Sequence, residues 1–194
     1  MDAVGLTLAC ATEPEERAGR RAGLRTSLIG LAGRNGLPPG RLVSFGLAGA
    51  LRDGLAAGDV LDVVRVVDEG GAVLWEGDPL GVPDARPATI LASGEVVDDP
   101  AERRRLHDAT GADAVDLESG PLARSGRLAG GVRVVSDTPA RTLHGICNAV
   151  TPAGEVDWAG VTKAFVRAPA GFARAVVDAK RAMRRLEEAA EALR

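Results

Sequence analysis

The stretch ADAVDLESGPLARSGRLAGGVRVVSDTP (112–139) decides how the chain is read. ADAVDL is a short apolar run and reads as a buried strand, ESGPLARSGRL as a short helix, and the valine-rich GVRVVSD as a second strand. A carboxylate stands at the end of each strand: Glu118 after the first and Asp137 closing the second. In α/β sheets ligands bind beyond the carboxyl ends of the strands. The two carboxylates are therefore expected to share one ligand pocket.

The same alternation continues on either side of this stretch. AVGLTLACA (3–11) is an uninterrupted apolar run of the kind buried on both faces of a sheet. Thr12, Pro14, Glu15 and Glu16 supply the start signals of a helix, expected to run to the NGLPPG turn at 35–40. Leu42 to Gly46 reads as a strand ending in the loop Gly46-Leu47-Ala48-Gly49. GDVLDVVRVV (58–67) is a further strand, EGGAVLWEGD (69–78) a hairpin or excursion, and ATILASG (88–94) another strand after a Pro-rich loop. Asp98 to Thr110 is a helix, started by Asp-Asp-Pro and stopped by Gly111. From Phe172 an apolar stripe steps through Val176, Ala179, Met183, Leu186, Ala190 and Leu193, which predicts a terminal helix lying on the sheet. The expected fold is a single α/β domain over residues 1–194, with a central, mixed but mostly parallel sheet flanked by helices.

Composition narrows the function classes. The chain has 194 residues, long enough to bury a sizeable core, and a formal net charge of −3, which gives no electrostatic case for nucleic acid or an anionic membrane. With three Phe, two Trp and no Tyr, a base-stacking surface for single strands is not expected. Cys10 and Cys147, with His107 and His144, form neither a disulfide framework nor a metal-ligand spacing, so no metal and no cofactor is expected. No apolar run approaches the ~20 residues of a membrane span, and the N-terminus lacks signal-peptide features. A cytoplasmic protein is expected.

Three segments in order, SFGLAGALRDGLAAGDV (44–60), ADAVDLESGPLAR (112–124) and VRVVSDTP (132–139), resemble the nucleoside phosphorylase and methylthioadenosine/adenosylhomocysteine nucleosidase superfamily. Within it the likeness is greatest to the hopanoid-associated phosphorylase group, whose members are nucleosidases of adenosylhopane type. GEVDWAGVTKAFVRAP (154–169) and the long final helix support that choice. The resemblance implies a nucleoside phosphorylase-like fold, a small-molecule nucleoside as ligand and a homo-oligomer. It implies that Asp137 serves the leaving purine as general acid, with Ser136 orienting it, and that Glu118 accepts hydrogen bonds from the ribose 2′ and 3′ hydroxyls. Leu117, in place of a more usual methionine, lies beneath the sugar, and Gly46, Ala48 and Gly49 line the anion side.

Departures from the pattern are informative. Ser44 stands where phosphorylases of this superfamily carry a phosphate-binding arginine, which favours water as the nucleophile. Glu13, just past the first strand, is the candidate for activating that water; the other reading makes it a first-turn helix residue. Val96 or Val97 stands where a phenylalanine usually stacks on the purine. Arg133 reads as a structural or surface strand residue. The implied activity is hydrolysis of the N-glycosidic bond of an adenosine-like nucleoside with a bulky 5′ substituent. The alternatives are a phosphate-dependent phosphorylase, a non-catalytic nucleoside-binding domain, or an oligomer subunit with the terminal helix as its interface. Alone, Glu118 also reads as a helix-dipole partner and Asp137 as a cap or turn residue.

Overall fold

The computed structural model describes residues 5–141, 151–155 and 169–194. Cys147, His144 and most of the 154–169 segment lie outside the described residues. The chain opens with β1 (Leu6–Cys10), α1 (Glu13–Arg21) and β2 (Thr26–Leu28), then a 3₁₀ turn at Leu31–Gly33 and the long β3 (Arg41–Ala50). There follow β4 (Val60–Val67), β5 (Val73–Glu76), β6 (Arg86–Ala92), α2 (Pro100–Thr110), β7 (Ala114–Asp116), α3 (Ser119–Arg124), β8 (Leu128–Asp137) and a last helix, α4 (Pro169–Ala192).

The first helix is shorter than its sequence reading. Gly23 adopts a left-handed conformation at φ 77° and turns the chain into β2, which pairs in parallel with β1. The second helix follows its signals closely. The Asp99 side chain accepts a hydrogen bond from Ala101 N at 2.7 Å, and Gly111 ends the helix at φ 69°.

The sheet is mixed and mostly parallel, as expected, but it is not the simple helix-flanked sheet of the sequence reading. Five of its eight described pairings are parallel, but β3–β7, β4–β5 and β4–β8 are antiparallel. The pairings β3–β8, β8–β4, β4–β6, β6–β7 and β7–β3 form a closed ring, so the sheet curls into a mixed, barrel-like arrangement. Length makes this possible. One edge of the ten-residue β3 pairs with β1 through Arg41–Ser44 and with β7 at Gly49 and Ala50. A long strand that changes neighbours along one edge coils, and coiling closes a ring.

Alternation along the strands sorts the core. Leu8, Cys10, Val43, Phe45, Val132 and Val134 form a buried cluster with Ala18 of α1 and Ala182 and Leu186 of α4. Leu42, Ala48, Leu61, Val63, Ile90 and Val135 belong to another cluster, which includes Leu122 of α3. The terminal helix lies on the sheet as expected, but its buried line runs through Ala175, Asp178, Ala182, Leu186, Ala189 and Ala190. Among the described residues of the predicted stripe only Leu186 and Ala190 are buried, and Val176, Ala179 and Met183 are half-buried. No described helix is long and apolar enough to cross a membrane.

Candidate functional site

The ends of β1, β3, β7 and β8 meet around an open cavity of about 160 Å³. Of the residues singled out from sequence, Ala48, Gly49, Val97, Leu117, Glu118, Ser136 and Asp137 line it. Glu118 and Asp137, buried with 4% and 3% of their surface exposed, thus share one cavity.

Two residues sit elsewhere. Glu13 is exposed and does not line the cavity; it is a first-turn residue of α1. The helix begins directly after β1, so its first side chain points outward and the residue two positions on turns in. That residue is Glu15, 4% exposed, and it lines the cavity. Gly46 lies beneath the cavity wall. A Cβ there would overlap the Glu15 carboxylate and come within 2.8 Å of Arg133 Nη1, so the glycine makes room for that pair.

The carboxylates are organised by Arg133, which is fully buried. Its Nη2 lies 2.7 Å from Asp116 Oδ2, 3.5 Å from Glu118 Oε2 and 2.7 Å from Ser44 Oγ. Ser119 Oγ donates to Asp116 Oδ2 at 2.5 Å, and Ser119 N donates to Asp116 Oδ1 at 2.9 Å. Ser44 thus holds the guanidinium from below. Arg133 Nε has no hydrogen-bond partner among the described residues.

Glu15 is fixed from two sides. Leu47 N donates to its Oε1 at 2.8 Å and Thr12 N to its Oε2 at 2.9 Å. The backbone N–H at Leu47, inside the Gly46–Gly49 segment, is therefore held by the chain's own carboxylate. Glu118 Oε1 accepts from Ala32 N at 3.1 Å. Ser136 Oγ donates to Asp137 Oδ1 at 2.5 Å, while Arg103 Nη2 donates to Asp137 Oδ2.

Burial raises the proton affinity of all three carboxyl groups. Glu15 and Asp137 are raised by desolvation, opposed by Arg133 and Arg103 respectively. Glu118 is pushed up to about 7, first by burial and further by Asp116 and Glu15, with Arg133 opposing. The folded state therefore holds a proton that a free glutamate, near 4.5, gives up. This contribution to stability is complete below about 4.5 and fades as pH rises to about 7. Wild type should lose melting temperature relative to Glu118→Gln across that window and track it above. A flat or rising difference across the window would contradict the assignment.

Sequence reasoning missed Glu15, Arg103, Asp116 and Arg133. Thr12 and Glu15 stand at capping-box spacing, which was visible. Arg133 amid buried valines was a signal too, because an arginine between buried neighbours needs carboxylate partners.

No protein-family model matches the chain, and no curated protein matches it. Solved structures do. The 5′-methylthioadenosine/S-adenosylhomocysteine nucleosidase of Colwellia psychrerythraea, in complex with adenine, superposes with TM-score 0.62 at 12% identity, covering 97% of this chain and 95% of that one. The corresponding nucleosidase from S. pneumoniae gives 0.59 at 14% identity, covering 97% and 99%. The futalosine hydrolase of Helicobacter pylori gives 0.58 at 12% identity, covering 95% and 96%. The fold is shared with these nucleosidases. At such identity the likeness speaks for architecture, and the chemistry has to be argued from this chain's own side chains.

Proposed function

We propose that the chain is a nucleosidase that hydrolyses the N-glycosidic bond of a purine nucleoside. The observation that carries this reading is the convergence of Glu15, Glu118 and Asp137 on one cavity, with Arg133 beneath two of them. Bond cleavage leaves oxocarbenium character on the sugar and negative charge on the base. Asp137, with its raised proton affinity, protonates the departing base. Glu118 accepts the ribose hydroxyls; one carboxylate takes two donors. Glu15 takes the proton of the attacking water, a role in which it replaces Glu13.

Water is favoured over phosphate because the anion side is already filled. Ser44 Oγ is engaged by Arg133 and Ser119, and Leu47 N by Glu15. The adenosine-like base, the bulky 5′ substituent and the adenosylhopane-type subgroup come from the sequence resemblance. A second cavity of about 480 Å³ shares Leu117 with the first and supports an extended substituent. The homo-oligomeric state and the cytoplasmic location stay part of the proposal. A non-catalytic nucleoside-binding domain is the second reading, favoured by Val96 and Val97 lining the cavity where an aromatic is usual.

In phosphate-free buffer, wild type is expected to release purine from a panel of 5′-substituted adenosines and inosines. Glu15→Gln should lower that turnover by roughly 10²-fold or more while ligand-induced thermal stabilisation persists. Stabilisation of wild type without base release would select the binding domain, and strict phosphate dependence would select a phosphorylase.

A further inference from the structure

Arg103 is a buried cation in the cavity wall that the proposed chemistry does not use. It is 1% exposed, sits on α2 and lines the cavity beside Asp137, Gly49 and Val97. Its orientation is locked. Nε donates to Val97 O at 2.8 Å and Nη1 to Ala50 O at 3.3 Å, while Nη2 donates to Asp137 Oδ2 and lies 4.0 Å from Asp98 Oδ1. A guanidinium has five N–H donors and no acceptor. Among the described residues three are used, by Val97, Ala50 and Asp137, and each terminal nitrogen keeps a second hydrogen, that of Nη2 near Asp98.

The pair lies against the glycine loop. A Cβ at Gly49 would stand 3.2 Å from Arg103 Nη2 and 3.3 Å from Asp137 Oδ2, so the missing side chain leaves this edge open. Both oxygens of Asp137 are engaged, Oδ1 by Ser136 and Oδ2 by Arg103. A base approaching Asp137 therefore meets a carboxyl group with a fixed donor beside it. The flanking Val96 and Val97 offer no aromatic face, which shifts discrimination from stacking to the base edge.

Purines differ along that edge. A 6-oxopurine presents two acceptors, N7 and O6; adenine presents the N7 acceptor and a 6-amino donor. A protonated Asp137 meets N7 in either case. The neighbouring guanidinium meets O6 with a charge-assisted hydrogen bond, but meets the amino group donor to donor, leaving both without a partner.

We propose that Arg103 is a specificity residue that selects a 6-oxopurine over a 6-aminopurine at the Asp137 end of the cavity. The inference rests on the nucleosidase reading for which end takes the base, and it replaces the adenine expected from the sequence resemblance.

The test is the ratio of kcat/KM for 5′-methylthioinosine over 5′-methylthioadenosine in one enzyme preparation, which is independent of the folded fraction. Wild type should prefer the inosine by roughly 10-fold or more. Arg103→Met should bring the ratio to about one or below, and Arg103→Lys, which keeps a charged donor, should restore part of it. Equal or faster adenine release by wild type, or an unchanged ratio in Arg103→Met, would overturn the proposal. If neither nucleoside is cleaved, the nucleosidase reading fails and calorimetric binding of the free bases decides this one. Tighter hypoxanthine supports it; adenine binding equally or more tightly overturns it.

Discussion

Asp137→Asn is expected to lower purine release by about 10² to 10⁴-fold, the usual contribution of a positioned general acid. The substitution is nearly isosteric: the amide oxygen can keep the bond from Arg103 Nη2, and the amide nitrogen can donate to Ser136 Oγ, which then accepts instead of donating. The amide cannot deliver a proton to the departing base. The effect should fall on kcat, with ligand-induced stabilisation still measurable. The change also leaves Arg103 with one carboxylate fewer, so the variant's melting temperature must accompany the kinetics. An unchanged kcat in a folded variant would remove Asp137 from the mechanism.

Arg133→Met is the second large effect, and it acts on stability. Arg133 faces Asp116, Glu118 and Glu15, all buried. Removing one partner of a buried ion pair leaves uncompensated charge and costs about 3–5 kcal/mol. For a chain of this length that is a fall in Tm of roughly 6–20 °C. The carboxyl groups can partly escape by taking protons, so the deficit should be smaller at pH 5 than at pH 8. Adding Asp116→Asn, which removes the nearest negative charge, should recover part of the loss. A single variant as stable as wild type at both pH values would show that Arg133 is not the counter-charge of the cluster.

Much of the site was legible because its residues stand at strand ends. Glu118 and Asp137 follow apolar runs whose direction change forces the chain to turn, and the turn is where the cavity forms. Asp99 and Gly111 fixed the bounds of α2 for the same local reason. What sequence did not convey is which side of an element faces inward. Glu13 and Glu15 differ by about 200° around a helix, and only packing against β3 decides which one is buried. Arg103 belongs to the run Arg103-Arg104-Arg105, and its three members look alike in sequence. In the fold Arg103 shares the buried face of α2 with Leu106, one helical turn on, whereas Arg104 and Arg105 are exposed.

The closure of the sheet was not legible, for a different reason. Alternating strands and helices do imply parallel neighbours, and most pairings obey. Ring closure depends on β3 pairing in succession with β1 and β7, and on β8 reaching β4 antiparallel. Those contacts join segments far apart in sequence, where hydrophobic pattern carries no register. The same closure brings Asp116, Glu118, Arg133 and Glu15 within reach of one another. The electrostatic centre of the site is thus a property of the closed sheet, and no single motif contains it.

The most direct measurement is wild-type turnover of 5′-methylthioinosine and 5′-methylthioadenosine in phosphate-free H₂¹⁸O. The predicted result is free purine and a sugar carrying one ¹⁸O at C1′, with Glu15→Gln nearly silent. Binding of both nucleosides without purine release, or release only when phosphate is added, would contradict the account.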